Sequence, residues 1–413
     1  MKKIFLLIIL LSSLVQIYAQ IRPIKDLKPT VILISLDGFR YDYLEKFKPP
    51  TLSQLAKNGV RAKWMIPSFP TKTFPNHYTV ATGLYPANHG IVENNVWDFG
   101  EVFTMSKRRE VENPRWWLGE PIWVTAQKQG QIAASYFFVG TETKIKGEQP
   151  KIWRTYNGDV PNNMRVDKVL SYLDLPQNER PTMISMYFSD TDDVGHEFSP
   201  DSEEIKYEVS SVDEHIKQLM DGLKARKIDK KVSIIIVSDH GMATYYLKNV
   251  TFLDDYFDFD LTERILWTNE IVQIFPKEGK LDEIYSKIND LPHTVCWKKT
   301  EIPLRLNYHN NPRIAPIICS SEQGWQTTSR KRFNDWTKDM DEKEFARPRG
   351  AHGYDNKYQE MQATFIAHGG NFKKGYVVEP FENVEVYNLM CSILGLKPAP
   401  NDGKRNLAKE LIK

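Results

Sequence analysis

Continuous apolar runs that stop at a carboxylate set the rhythm of the chain. Val31-Ile32-Leu33-Ile34-Ser35-Leu36 runs into Asp37-Gly38, Thr182 to Phe188 into Asp190 and Asp192, and Val232 to Val237 into Ser238, Asp239 and His240. Runs of this kind read as strands buried on both faces. Between them lie helical patterns, Leu52 to Lys57, Asp167 to Leu173 and the long amphipathic Glu203 to Lys227. The alternation predicts an α/β fold, a mostly parallel sheet with helices on both faces. Ligands of such sheets bind beyond the carboxyl ends of the strands, where these acids gather. From about 251 to 346 the texture becomes aromatic-rich and proline-punctuated, as in Ile302 to Tyr308 and Arg313 to Ile318. That stretch is read as a smaller inserted α+β domain between two parts of the core, 20–250 and 347–413. The core resumes near Gly350-Ala351-His352-Gly353-Tyr354 and continues through the strand-like Gln362 to Ala367.

Asn76 to Thr82, closed by Gly83 and followed by Pro86, reads as a short helix whose first turn follows Thr73 and Pro75. The Thr73 hydroxyl then lies beside free backbone N–H groups and a positive dipole end, where a phosphate or an alkoxide is stabilised. On its own, a threonine before a helix is an ordinary N-cap.

Composition narrows the classes. With 413 residues the chain can bury a large core, and 41% hydrophobic and 26% charged residues are ordinary for a globular protein. A net charge of +2, from 55 basic against 53 acidic residues, argues against nucleic-acid coating or membrane-surface binding. Phosphate recognition must therefore be local. Met1-Lys2-Lys3 followed by the apolar Ile4 to Val15, with Ala19 before a cut ahead of Gln20, reads as a signal peptide over 1–19. An exported protein, periplasmic or secreted, is expected, with no membrane span after cleavage and a monomeric state. Cys296, Cys319 and Cys391 allow one bridge and one free thiol without metal-site spacing. Cys296 with Cys319 is the favoured pair.

Asp192-Asp193-Val194-Gly195-His196 sets carboxylate and imidazole four residues apart, in what reads as a glycine-containing turn after a strand. Taken alone, it is as readily a polar loop. Asp239-His240-Gly241-Met242 is sharper, because adjacent Asp and His at a strand end serve better as metal ligands than as core. With Asp37 and His352 these give three acids and three histidines, the ligand stock for two Zn²⁺ ions with open positions.

The ordered set Asp37-Gly38, Pro70-Thr71-Lys72-Thr73-Phe74-Pro75-Asn76-His77, Thr82-Gly83-Leu84-Tyr85-Pro86, His89-Gly90-Ile91, Asp192 to His196, Asp239 to Met242 and His352-Gly353-Tyr354 resembles the nucleotide pyrophosphatase/phosphodiesterase family of the alkaline phosphatase superfamily. The resemblance covers nearly the whole chain after the leader. It implies an alkaline-phosphatase-like fold, with one zinc on Asp37, Asp239, His240 and the Thr73 oxygen and the other on Asp192, His196 and His352. Asp193 is the lesser candidate of its pair. The resemblance makes Thr73 the nucleophile and Asn94 the side chain that holds a non-bridging phosphoryl oxygen together with the Phe74 N–H. It makes Phe74 and Tyr156 the aromatics that stack on a nucleobase. Nucleoside triphosphates, dinucleotides and nucleotide diesters are the implied substrates, cleaved to nucleoside 5′-monophosphates. Tyr136 to Glu142 departs from the aromatic-Pro-Gly form of the nucleotide-cleaving branch. A choline-phospholipid phosphodiesterase is thus the first alternative. A phosphomonoesterase is less favoured, for want of an Arg near Thr73. His77 and His89 are read as structural, Lys72 as either a phosphate contact or a solvated charge, and Trp116, Trp117 and Trp123 as pocket lining or core.

Overall fold

The structure is a computed structural model that describes residues 22–413; the predicted signal peptide lies outside the described residues. Eleven strands and six helices position the site. In chain order they are β1 (Val31–Leu36), α1 (Pro50–Asn58), β2 (Val60–Ala62), α2 (Thr73–Thr82), β3 (Ala133–Tyr136), α3 (Asn162–Leu173), β4 (Met183–Phe188), α4 (Asp190–Phe198), α5 (Glu203–Ala225), β5 (Ser233–Val237), β6 (Thr262–Trp267), β7 (Ile271–Pro276), β8 (Thr294–Lys298), β9 (Ile317–Ser321), β10 (Phe365–Gly369), β11 (Tyr376–Val378) and α6 (Glu385–Leu394). Among the described residues no helix is long and apolar enough to cross a membrane.

The central sheet runs in the order β11-β2-β10-β5-β1-β4-β3. Its apolar strands serve two cores at once, because successive side chains point to opposite faces. Val31 and Leu33 of β1 join Ile235 and Val237 of β5 on the face covered by α2 and α6. Ile32, Ile34 and Leu36 join Ile234 and Ile236 on the face covered by α1, α3 and α5. The predicted parallel strands are in register, Val31 opposite both Met183 and Ser233, so β1, β4 and β5 end together. Asp37, α4 and Asp239-His240 all leave from that one edge.

One core strand reverses the direction. β10 is antiparallel to both β5 and β2, and its first residue, Phe365, lies opposite Val237, the last of β5. The chain returns from the 251–346 stretch at the carboxyl edge, leaves His352 there, and can only re-enter the sheet running the other way.

Within that stretch, β6-β7-β9-β8 form a wholly antiparallel sheet with a core of its own that includes Ile284 and Ile288 of the neighbouring helix Leu281–Ile288. Cys296 and Cys319 face each other across β8 and β9 and are joined by a disulfide, leaving Cys391 as a buried free thiol. Ile302 to Tyr308 is a short helical turn, Leu304–Leu306, and only Ile317 and Ile318 of the second apolar segment enter a strand. Pro303, Pro312 and Pro316 deny these segments ladder hydrogen bonds.

Candidate active site

Thr73 is the first helical residue of α2, with Lys72 extended at the cap and Gly83 left-handed at the other end, φ 68°. Pro75 fits because the first-turn N–H groups have no helical acceptor. The approach to Thr73 is tied by Asn76, which is fully buried. Its Oδ1 accepts from the Ser68 N–H at 2.7 Å, and its Nδ2 donates to the carbonyls of Pro70 and Lys72, both at 2.9 Å. Sequence reasoning gave Asn76 no role. A buried amide in the first turn of a short helix was the available signal.

Asp37, Asp192, Asp239, His196, His240 and His352 converge beside Thr73. His240 Nε2 lies 3.4 Å from Thr73 Oγ, 3.4 Å from Asp37 Oδ1 and 3.0 Å from Asp239 Oδ2. Asp192 faces His196 and His352, each Nε2 3.5 Å from a carboxylate oxygen. The His240 and His352 rings stack with centroids 3.5 Å apart, so the two groups adjoin. Asp192-Asp193-Val194-Gly195-His196 is not the predicted turn but part of α4. The helix does what a turn would not: a spacing of four puts both ligand atoms on one face. Asp193 lies outside these groups.

The donor set fits metal ions. Asp37 Oδ1, Asp192 Oδ1 and Asp239 Oδ2 are buried without a hydrogen-bond partner, a costly state for carboxylate oxygens unless a cation meets them. Each histidine gives its Nδ1–H to a backbone carbonyl: His196 to Gly350 at 2.9 Å, His240 to Gly241 at 2.9 Å and His352 to Thr71 at 2.8 Å. That fixes the tautomer and leaves every Nε2 lone pair facing the acids. Burial, with the charges of Asp239 and Asp192, pushes the Asp37 carboxyl well above the usual carboxylate range. Asp192, His196 and His352 form one group with all ligand atoms within 4.8 Å, Asp37 joins Asp192 and His240 in a second, and Asp37, His77 and Asp239 form a third.

His77 approaches Asp239 at 3.2 Å, yet both its nitrogens are engaged, Nδ1 with the Thr73 carbonyl at 2.9 Å and Nε2 with Ser35 Oγ at 2.7 Å. Its role is to lock α2 to β1. Tyr187 carries a function the sequence did not announce: its hydroxyl donates to Asp37 Oδ2 at 2.6 Å. The signal available was a hydroxyl near the carboxyl end of a mostly apolar strand, two residues after Ser185.

Thr73, Asp37 and Asp192 open into a cavity of about 300 Å³ that Phe74, Tyr156, Tyr187, Arg108 and Glu142 also line. Phe74 is seated against Phe103 and Trp117, and Tyr156 against Phe137 and Tyr187. The Phe74 N–H, expected to face a phosphoryl oxygen, donates to Asn94 Oδ1 at 2.9 Å. A backbone donor selects the amide oxygen, which leaves Asn94 Nδ2 as the free donor. Trp116, Trp117 and Trp123 are buried core and line no part of the cavity. Lys72 is neither solvated nor free: it is buried, pairs with Glu270 at 2.5 Å and donates to the His352 carbonyl at 2.8 Å.

Residues 31–355 match the family model for type I phosphodiesterase / nucleotide pyrophosphatase. The chain belongs to this family. Venom phosphodiesterase of Macrovipera lebetinus is 39% identical over 395 residues, covering 93% of this chain and 45% of that protein. Ectonucleotide pyrophosphatase/phosphodiesterase family member 3 of Rattus norvegicus is 37% identical over 399 residues, 94% of this chain and 44% of that protein. The chain thus spans less than half the length of these relatives. Murine ectonucleotide pyrophosphatase/phosphodiesterase 5 superposes with a TM-score of 0.85 at 33% identity, covering 93% of this chain and all of that one. An inactive threonine-to-alanine form of that murine protein, in complex with AMP, matches to the same extent. The family fold, a mainly parallel α/β sheet, is the one predicted.

Proposed function

We propose that this family member is a two-zinc nucleotide pyrophosphatase/phosphodiesterase that releases nucleoside 5′-monophosphates through a covalent intermediate on Thr73. The observation that carries the reading is the Thr73 hydroxyl itself, at the start of a helix, beside overlapping acid–histidine groups and lining an aromatic-walled cavity. Asp37, Asp239 and His240 would hold one ion with Thr73, and Asp192, His196 and His352 the other. Such ions would lower the hydroxyl pKa and neutralise charge on the phosphoryl and leaving oxygens.

The chain's own groups do the positioning. Phe74 and Tyr156 take the two faces of the base, and Asn94 Nδ2 donates to a non-bridging phosphoryl oxygen. The α2 N-terminus supplies a favourable field for that anionic group. Thr73 Oγ then bonds to phosphorus in line with the departing oxygen, giving a nucleotidyl ester on Thr73. Water entering from the vacated side breaks that ester and restores the hydroxyl. Little covalent work is asked of the protein beyond alignment and charge stabilisation. The AMP complex of the inactive murine relative supports a nucleotide in the cavity and a threonine as nucleophile. The basic and apolar start of the chain and the venom relatives support export. We also take 251–346 as an inserted unit and the protein as a monomer.

Mass spectrometry of ATP products tests the reading, with Thr73→Ala and lysophosphatidylcholine run beside the zinc-loaded enzyme. AMP and pyrophosphate, lost in the variant, are expected. ADP and phosphate would mean a monoesterase, and phosphocholine released from the lipid alone would select the lipid-cleaving branch.

A further inference from the structure

Tyr156 stands in a stretch without regular structure, residues 153–157, and is 38% exposed. A ring that forms a cavity wall from such a segment must be anchored by something other than helix or strand. Both sides of its backbone are anchored. The Tyr156 N–H donates to Glu142 Oε1 at 3.2 Å, and its carbonyl accepts from Arg108 Nη2 at 3.0 Å. The same two side chains pair with each other through Arg108 Nη1 and Glu142 Oε2. Both line the cavity that holds Thr73 and Phe74.

An arginine at such a cavity has another use, as a clamp on the distal phosphates of a nucleotide. Arg108 is badly placed for it. Its guanidinium is committed to Glu142, whose side chain is only 8% exposed, and to the Tyr156 carbonyl, with Glu112 a further 3.8 Å from its Nε. The positive charge is already answered, and the planar fork that would grip a phosphate instead grips protein.

We propose that Arg108 and Glu142 form a clamp that sets the Tyr156 ring as one wall of the base subsite. They are positioning residues that determine preference for substrates carrying a base. The consequence for substrates rests on the function proposed above; the clamp itself rests on the hydrogen bonds and the ion pair. The two residues act as a unit, because removing Arg108 strands a buried carboxylate. Reaction at Thr73 does not pass through the clamp, so loosening it affects base binding ahead of the phosphoryl step.

The test compares p-nitrophenyl thymidine 5′-monophosphate with methyl p-nitrophenyl phosphate, which has no base, in Arg108→Ala and Glu142→Gln. Glu142→Gln keeps an acceptor for the Tyr156 N–H and covers the case in which Arg108→Ala does not fold. Loss of kcat/KM on the nucleotide ester should exceed loss on the base-free ester by about fivefold or more, the lower end of base–aromatic stacking, and should lie mainly in KM. Hydrogen exchange across residues 153–158 should quicken in both variants. Equal losses on the two esters, or unchanged exchange, would overturn the clamp. If the parent protein hydrolyses neither ester, the proposed function falls, and exchange alone decides the clamp.

Discussion

Replacing Tyr187 with Phe isolates one hydrogen bond to the acid group at the centre of the site. The ring stays where it is, edge-on to His77 at 5.2 Å and near Tyr156 at 6.1 Å, so packing is preserved and only the hydroxyl goes. What is lost is the 2.6 Å bond to Asp37 Oδ2. Asp37 is almost wholly buried, and its carboxyl is pushed well up by burial and by Asp239 and Asp192. Burial and its acidic neighbours thus favour proton binding at Asp37, and a cation competes with that proton. Tyr187 works the other way, since its O–H stabilises the ionised carboxylate. A hydrogen bond to a charged group contributes about 1.5–3 kcal/mol, or about ten- to a hundredfold in an equilibrium constant. Outer hydrogen bonds to metal ligands carry a similar weight, about 10–100-fold in affinity. Tyr187→Phe should thus weaken zinc binding by one to two decades, read by competition with a fluorescent chelator near neutral pH. The deficit should shrink as pH rises, because alkali removes the competing proton. A zinc Kd within about twofold of the parent, with the melting temperature unchanged, would refute the reasoning.

Three further outcomes follow from the same site and its surroundings. Exhaustive chelation should abolish phosphodiesterase activity and lower the melting temperature, and zinc at about a hundredfold excess over Kd should restore about 3 kcal/mol of stability; unchanged calorimetric melting would remove the metal assignment. Asn94→Ala should lower kcat by about 10²–10³, as loss of a preorganised oxyanion donor does, and a change confined to KM in steady-state kinetics would contradict that role. Burial lowers the His89 pKa to about 3 from 6.5, while its Nδ1 accepts the Ile91 N–H at 3.2 Å. The folded state therefore binds fewer protons than the unfolded one, so this contribution is complete above the unfolded value and is lost as pH falls from about 6.5 toward 3. Near pH 5 the loss is about 2 kcal/mol. Urea unfolding against pH should show it, and the ring carbon of labelled His89 should not titrate above pH 5.

The legible parts of the fold were those where one physical rule dominates. Val31–Leu36 is a strand with the bounds its apolar run suggested, because a segment covered on both faces has no polar alternation to blur its ends. Helix α2 was readable from Pro75 and Gly83, whose backbone demands are local, but it begins three residues before Asn76, with Thr73 inside its first turn and Lys72 at the cap. Three-dimensional neighbours decided the rest. The Asp192–His196 segment contains a glycine and three acidic or polar positions, yet packing of α4 against α5 and the strand Arg349–Ala351 overrides their turn preference. Lys72 reads as either a phosphate contact or a solvated charge until Glu270, far along the chain, is seen to meet it. The Asn94–Phe74 bond joins residues twenty apart whose approach depends on the loop between them. That these acids and histidines gather at one sheet edge was readable; the hydrogen bonds that aim them were not.

The reversed strand β10 has a bearing on how the protein comes to life. His352 arrives at the site only after the chain has passed through the β6–β9 sheet, and it is held there by the Thr71 carbonyl and by Lys72, near the opposite end of the sequence. The site is thereby closed by a segment that follows the whole β6–β9 sheet in the chain. A nascent or cleaved chain that stops short of His352 has the threonine and one acid–histidine group but lacks the imidazole that completes the other. The two acid–histidine groups thus come together only when segments on both sides of the β6–β9 sheet are folded against each other.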